Sequence, residues 1–331
     1  MTTDRQLQIG SQGGLFLHQL SQIALRYGIY LVLLVLCFAV GTIEPSFFTL
    51  QNLSTLLLES TSVGIIAVGM TFVIIARGID VSVGAIVALA SAAGITSIKL
   101  GGQPWWVGVL IMLGVGLVVG WINGFSSSRL GMPSFLVTLA TMTVARGLVT
   151  AVSGGRIWYD LPNIFQGLGM GHVGPIPNSV AIMLIAFLVG YLILSKTLFG
   201  RQVYAVGTNP DTARVSGIDV ERTVLLTFVL VGLLSSLSSL VLTARMNTFT
   251  ASMGTGYEFS AIAAVVIGGT SLMGGQGNMG GTIVGVLIMA VINNALNLIG
   301  VDAYYQDIIR GSIIFLAVFL DAIRQRYIES A

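Results

Sequence analysis

Apolar residues run through this chain in long unbroken stretches separated by short polar breaks. A helix needs about 20 mostly apolar residues to cross a bilayer. Ten stretches approach that length, at roughly 25–43, 55–76, 80–98, 105–125, 132–152, 179–199, 222–243, 258–273, 280–299 and 308–323. Inside them, as in LVLLVLCFAV and LLTFVLVGLL, apolar residues do not alternate with polar ones. That excludes the strand pattern of an outer-membrane barrel. The pattern predicts an all-α polytopic membrane bundle of about ten transmembrane helices, with residues 1–331 forming one transmembrane domain. The eighth stretch is short for a span, so it is broken or shielded inside the bundle. The first 24 residues are polar. The apolar run that follows continues through Ile43 without an A-x-A-like site, so it reads as a retained anchor rather than a cleaved signal.

Composition sharpens this. Hydrophobic residues make up 55% and charged residues 8% of the 331, against about 25% charged in soluble domains. The net charge is only +2, which gives no electrostatic case for nucleic acid. Lys and Arg set the orientation, because cytoplasmic loops carry the excess. With a cytoplasmic N-terminus and ten alternating spans, Arg5, Arg26, Arg77, Arg129, Lys196, Arg201, Arg214, Arg222, Arg324 and Arg326 lie inside. Lys99, Arg156, Arg245 and Arg310 lie outside, and Arg146 falls within the fifth span. Both termini then face the cytoplasm. Trp105, Trp106, Trp121, Trp158, Tyr159, Tyr304 and Tyr305 suit the headgroup layers.

Small residues at four-residue spacing predict close helix packing: Gly116, Gly120 and Gly124 in the fourth span, and Gly281 and Gly285 in the ninth. Ser235, Ser236, Ser238 and Ser239 in the seventh do the same. The cytoplasmic loop 200–221 contains a short helix with both ends written in. Asn209 is a good N-cap, Pro210 suits the first helical position, and Asp211 complements the dipole. Gly217 can adopt the left-handed terminal conformation. Two turns are not stable alone, so this helix docks on the bundle or on a second protein. Two other inner breaks, 77–84 and 273–281, are Gly-rich. Each is a tight turn or irregular backbone lining a cavity. Asn123, Arg146, Asn293, Asn294 and Asn297 are polar within spans, where such groups face the interior. Asn293 and Asn297 share a helical face, marking either a polar pathway or interhelical hydrogen bonding.

Enzyme chemistry is missing. His18 and His172 fall in loops on opposite sides of the membrane, so they cannot share a catalytic or metal site. Cys37 is the only cysteine. Lys99 and Lys196 are the only lysines and neither follows a glycine, which precludes a G-x-x-x-x-G-K phosphate loop. ATP driving this protein would have to bind another polypeptide. Glu59 is the one acid clearly within a span, in its first turn on this reading, which gives little support to ion coupling through an internal acid.

The stretch Gly64–Ile74 running into Gly78–Gly84, the loop Tyr204–Gly207 through Ser216–Ile218, and Glu258 followed by Ala261–Leu272 resemble, in order, three motifs of the permeases of ribose-type sugar ABC importers. The departures are Arg77, where that family has a small residue, and Ser260, where it commonly has an acid. The resemblance implies a second permease subunit (the same chain or a paralogue), a cytoplasmic ATPase that binds ATP and Mg, and a periplasmic or lipid-anchored binding protein that delivers a monosaccharide. It places the protein in the bacterial inner membrane. It implies no catalytic residue, no metal and no cofactor bound by this chain. The residues expected to couple to the ATPase are Asn209, Pro210, Asp211, Ala213, Arg214, Val215, Ser216, Gly217 and Ile218. Gly78, Asp80, Ser82, Gly84, Gly268 and Gly269 form the motif turns. Ribose is the expected solute. A branched-chain amino-acid permease or an ion-coupled secondary carrier are the alternatives.

Overall fold

The computed structural model describes residues 28–329. The polar N-terminal segment 1–24, with Arg5 and His18, lies outside them, as does Arg26. The major helices are α1 (Gly28–Ile43), α2 (Leu50–Ile75), α3 (Val83–Lys99), α4 (Trp105–Ser128), α5 (Ser134–Ser153), α6 (Asn163–Met170) and α7 (Asn178–Lys196). They continue with α8 (Leu198–Thr208), α9 (Pro210–Val215), α10 (Val220–Met246), α11 (Tyr257–Ile267), α12 (Met279–Leu298) and α13 (Ala303–Glu329). Each of the ten apolar stretches corresponds to one of these helices. Six of them, α2, α4, α5, α7, α10 and α12, are long and apolar enough to cross a bilayer, while α1, α3 and α11 are apolar but shorter.

Helices α2 and α10 form the centre, and α10 packs along α4, α2 and α3. The small residues make this possible. A Cβ on Gly116 would overlap the carbonyl oxygen of Gly232, so the α4 and α10 backbones touch there. The serines of α10 are buried and two of them reach across: Ser238 Oγ donates to Ser62 O (2.9 Å) and Ser239 Oγ to Val87 O (2.7 Å). These bonds satisfy carbonyls and hydroxyls that lipid could not.

Two segments read as loops are helical. α8 fills much of the 200–221 loop, and α6 lies in the loop after α5. Thr197 starts α8 by accepting from Gly200 N at 3.2 Å, and Gly200, Val203, Val206 and Gly207 give it a buried face.

The eighth span is interrupted. α11 has 11 residues and is ~16 Å long, about half the hydrocarbon thickness. The chain from Asn247 to Gly256 enters the bundle as irregular backbone instead. Thr248 and Phe249 pair with Tyr159 and Trp158 as a two-residue β-bridge. Further along, Phe249 and Met253 are buried, and Gly254 packs against Gly84 and Val87 of α3. Around Phe249, Met253 and Gly254 the non-helical backbone is enclosed by protein, which is what lets such backbone exist inside a bundle.

The turns segregate to two ends. At one, Lys99 Nζ donates to Asp160 O (2.6 Å) beside the Trp158–Phe249 pair. At the other, the turns after α2, α8 and α11 meet, and Arg214 pairs with Glu221 at 2.6 Å. Arg77, Arg129, Arg201, Arg214 and Arg222 belong to the second end, in keeping with the alternation read from the sequence.

Candidate functional site

The break between α2 and α3 is built on Asp80. Its carboxylate fixes the residue just before α3: Ser82 N and Ser82 Oγ donate to Asp80 Oδ1 at 2.8 and 2.6 Å. Asn123 of α4 donates through Nδ2 to Ser82 Oγ (2.9 Å) and accepts from Thr141 Oγ1 of α5 (2.7 Å). Ile79 N and Val81 N, which a broken helix would leave without acceptors, donate to Ser134 Oγ (3.1 Å) and Thr138 Oγ1 (3.2 Å). The Gly78–Gly84 turn is therefore irregular backbone satisfied by α5 side chains, with Asn123 of α4 holding the Ser82 hydroxyl. Asp80, Ser82 and Asn123 are fully buried.

The interrupted eighth span joins this seam. A Cβ on Gly84 would overlap both the Gly254 carbonyl oxygen and Glu258 Oε2, which only glycine avoids. Glu258, 6% exposed, accepts from Gly256 N at 3.3 Å. Arg146 of α5 donates to the free carbonyls of Ala251 (3.2 Å) and Met253 (3.0 Å) and lies within electrostatic reach of Glu258. Asp80 Oδ2 and Glu258 Oε2 are buried without hydrogen-bond partners. Asn123, Arg146 and the motif turn thus meet in one polar seam where two helices begin inside the bundle. Replacing Arg146 with Ala is expected to lower stability by about 1–3 kcal/mol, because two carbonyls lose their donor and Glu258 its counter-charge. Thermal unfolding in detergent checks this, and adding Glu258→Gln should recover part of the loss.

The three α12 asparagines separate. Asn294 exchanges paired amide bonds with Asn52 of α2 (2.9 and 2.8 Å). Asn293 Oδ1 accepts from Arg310 Nε (2.8 Å), and Asn297 Oδ1 from Gln306 Nε2 (2.9 Å). The shared face of Asn293 and Asn297 therefore meets α13 through hydrogen bonds between the two helices.

At the end where the arginines gather, Arg77 ties three turns together. Its backbone has φ of 66°. Its Nε donates to Gly207 O (2.7 Å) and its NH2 group to Thr208 O (2.8 Å), the last carbonyls of α8. Gly275 N donates to Ile75 O (2.9 Å), and Tyr204 Oη donates to Gly277 O (2.6 Å). Gly268 and Gly269 sit at the α11 end of this turn, and Gly268 packs against the backbone of Gly281 on α12.

α9 has the caps read from the sequence. Asn209 Oδ1 accepts from Asp211 N and Thr212 N, both at 3.0 Å. Pro210 is the first helical residue, and Gly217 has φ of 83°. One expectation is overturned. The sequence puts Ala213 among the residues that couple to the ATPase, but it is 3% exposed and packs against Val206 and Val220 of its own chain. Ile218 also leans on that cluster. The outward face is Asp211, Arg214, Val215, Ser216 and Gly217, with Val215 88% exposed. Among the described residues, no group of three or more His, Cys, Asp or Glu could hold a metal ion.

Helices broken inside the bundle, with their free backbone groups gathered on buried polar side chains, are a feature of membrane transport proteins, and the relatives of this chain are membrane permeases. Residues 52–318 match the family described as the permease component of the branched-chain amino acid transport system, and the chain belongs to this permease family of ABC importers. It is 39% identical to the ribose import permease of Haemophilus influenzae over 92% of this chain and 95% of that one. It is 43% identical to the ribose import permease of Bacillus subtilis over 89% and 92%. With the L-arabinose transport permease of Escherichia coli it shares 34% over 91% and 92%. No solved structure matches the chain significantly.

Proposed function

We propose that this chain is the permease subunit of an ATP-driven importer that moves ribose or a similar monosaccharide across the bacterial inner membrane. The observation that carries the reading is 39–43% identity to ribose import permeases over about nine-tenths of both chains. The family description names branched-chain amino acids, but the arabinose and D-allose permeases among its relatives also carry sugars by name. In this reading residues 1–331 are one transmembrane domain of about ten spans with both termini cytoplasmic. The arginine-rich end faces the cytoplasm. A second permease subunit completes the pathway, a binding protein delivers the sugar at the other end, and ATP and Mg stay on the ATPase.

The geometry gives the coupling a physical route. The outward face of α9 meets the ATPase. α8 carries the displacement to the end of α2 through Arg77, and α2 leads into the Asp80 seam and the α11 break. Packed elements joined this way move as bodies between two arrangements, so closure beneath the membrane opens or shuts the seam above it. The test is sugar uptake in cells lacking their own ribose importer. Radiolabelled ribose should enter only when this chain, the ATPase and the binding protein are all present. Uptake without the ATPase would point to a secondary carrier, and uptake of leucine instead of ribose to an amino-acid permease.

A further inference from the structure

Helix α2 begins at Leu50, earlier than the apolar run suggests. Glu59 is therefore not in the first turn. Counting from Leu50 it lies about 14 Å along the helix from the outer end. It is exposed on the chain, as are Thr55 one turn above it and Gln51 two turns above it, so the three make a polar stripe on one face. Ser62 continues the stripe inward and is buried. A carboxyl group at this depth does not face hydrocarbon stably; such groups face water or a polar partner.

The surroundings are polar as well. Tyr257, the first residue of α11, has its hydroxyl beside Ser62 and within electrostatic reach of Glu59, Arg245 and Arg310. The enclosed Nε of Arg245 has no hydrogen-bond partner. Arg310 is held by Asn293 (2.8 Å), Gln306 (3.3 Å) and Asp307 (3.3 Å). These groups come from α2, α10, α11 and α13, and α11 packs against both α2 and α13.

We propose that the outer halves of these four helices form a water-filled vestibule that binds the uncharged, polyhydroxylated solute through Glu59, Arg245, Tyr257 and Arg310. The proposal rests on the sugar-permease reading for its ligand. The group set fits that class. Sugar hydroxyls both donate and accept, the carboxyl group accepts, the guanidinium groups donate, and the phenol does both. Asp307 pairs with Arg310, and the formal charges of Glu59 and Arg245 cancel in sum, so the site has little net charge with which to hold an ion. Its floor is the start of α11, where Tyr257 adjoins Glu258 of the polar seam.

The experiment uses the complete transporter with Cys37→Ala. Thr55→Cys, one turn above Glu59, and Leu57→Cys, exposed on another face of α2, are labelled with a membrane-impermeant maleimide from the outer side. The Thr55 position should react at least tenfold faster than the Leu57 position. Ribose-loaded binding protein should slow it at least threefold, and Glu59→Gln should remove that protection. Glu59→Gln alone should cut ribose uptake at least fivefold at unchanged membrane level. Equal labelling at the two positions would mean that lipid or a second subunit covers this face, and would overturn the vestibule. Fast labelling with no protection, together with normal uptake by Glu59→Gln, would overturn substrate binding. The parent with Cys37→Ala is assayed first for ATPase-dependent ribose uptake. If it imports no ribose, the sugar reading has failed, and the labelling ratio still decides whether the vestibule exists.

Discussion

Replacing Val215 with Glu is expected to detach the ATPase while leaving the permease folded. Val215 is an apolar side chain 88% exposed on a six-residue helix. Burying it on a partner contributes about 1.5–3 kcal/mol, and a buried unpaired carboxylate in its place adds a further penalty. At about 1.4 kcal/mol per tenfold, the affinity should fall roughly tenfold to a hundredfold or more. Co-purification of the ATPase from detergent and ATP-dependent uptake should be lost together, with membrane level and thermal unfolding unchanged. Full retention of both would remove α9 from the coupling surface. Ala213→Glu does not discriminate in this way. Ala213 packs on Val206 and Val220, so a carboxylate there would pry α9 from its own chain.

Gly84→Ala is expected to disrupt the polar seam. The new methyl group would overlap the Gly254 backbone and Glu258 together, and neither a backbone turn nor a buried side chain yields freely. Overpacking of this kind costs about 1–3 kcal/mol, and here it also displaces the start of α11. Unfolding temperature and uptake should both drop. Gly114→Ala, on α4 with open space at its Cβ, is the matched control and should be silent. Equal behaviour of the two variants would show that α3 and the 250–256 turn do not touch in the working protein.

The helices were legible because continuous apolar runs leave few alternatives in a chain with so little charge. The α9 caps were legible because Asn-Pro at one end and Gly at the other are local signals that need no knowledge of the fold. Which way Ala213 points was not, because six residues carry too little periodicity to fix a helix's phase. α8 was hidden by its glycines and by Arg201 and Gln202, which read as loop although Val203 and Val206 are buried beneath them. The early start of α2 was hidden by Gln51, Asn52, Ser54 and Thr55, whose polarity mimics a loop. That masking also misplaced Glu59. Asn293 and Asn297 were correctly put on one face, but their partners Gln306 and Arg310 lie on another helix. Arg146 was visible as an intramembrane charge, while the carbonyls it serves exist only because the chain unwinds after α10.

The brevity of α11 also constrains how the protein is made. An eleven-residue apolar segment is too short to partition into the bilayer as an independent span, and the unwound stretch before it exposes carbonyls that lipid cannot satisfy. During biosynthesis this region therefore has nowhere stable to go until α2, α3 and α5 are already in place to receive Gly254 and supply Arg146. Packing of the surrounding helices has to precede the settling of α11. The polar seam thus closes late, as one of the last steps by which the newly made chain becomes a sealed membrane protein.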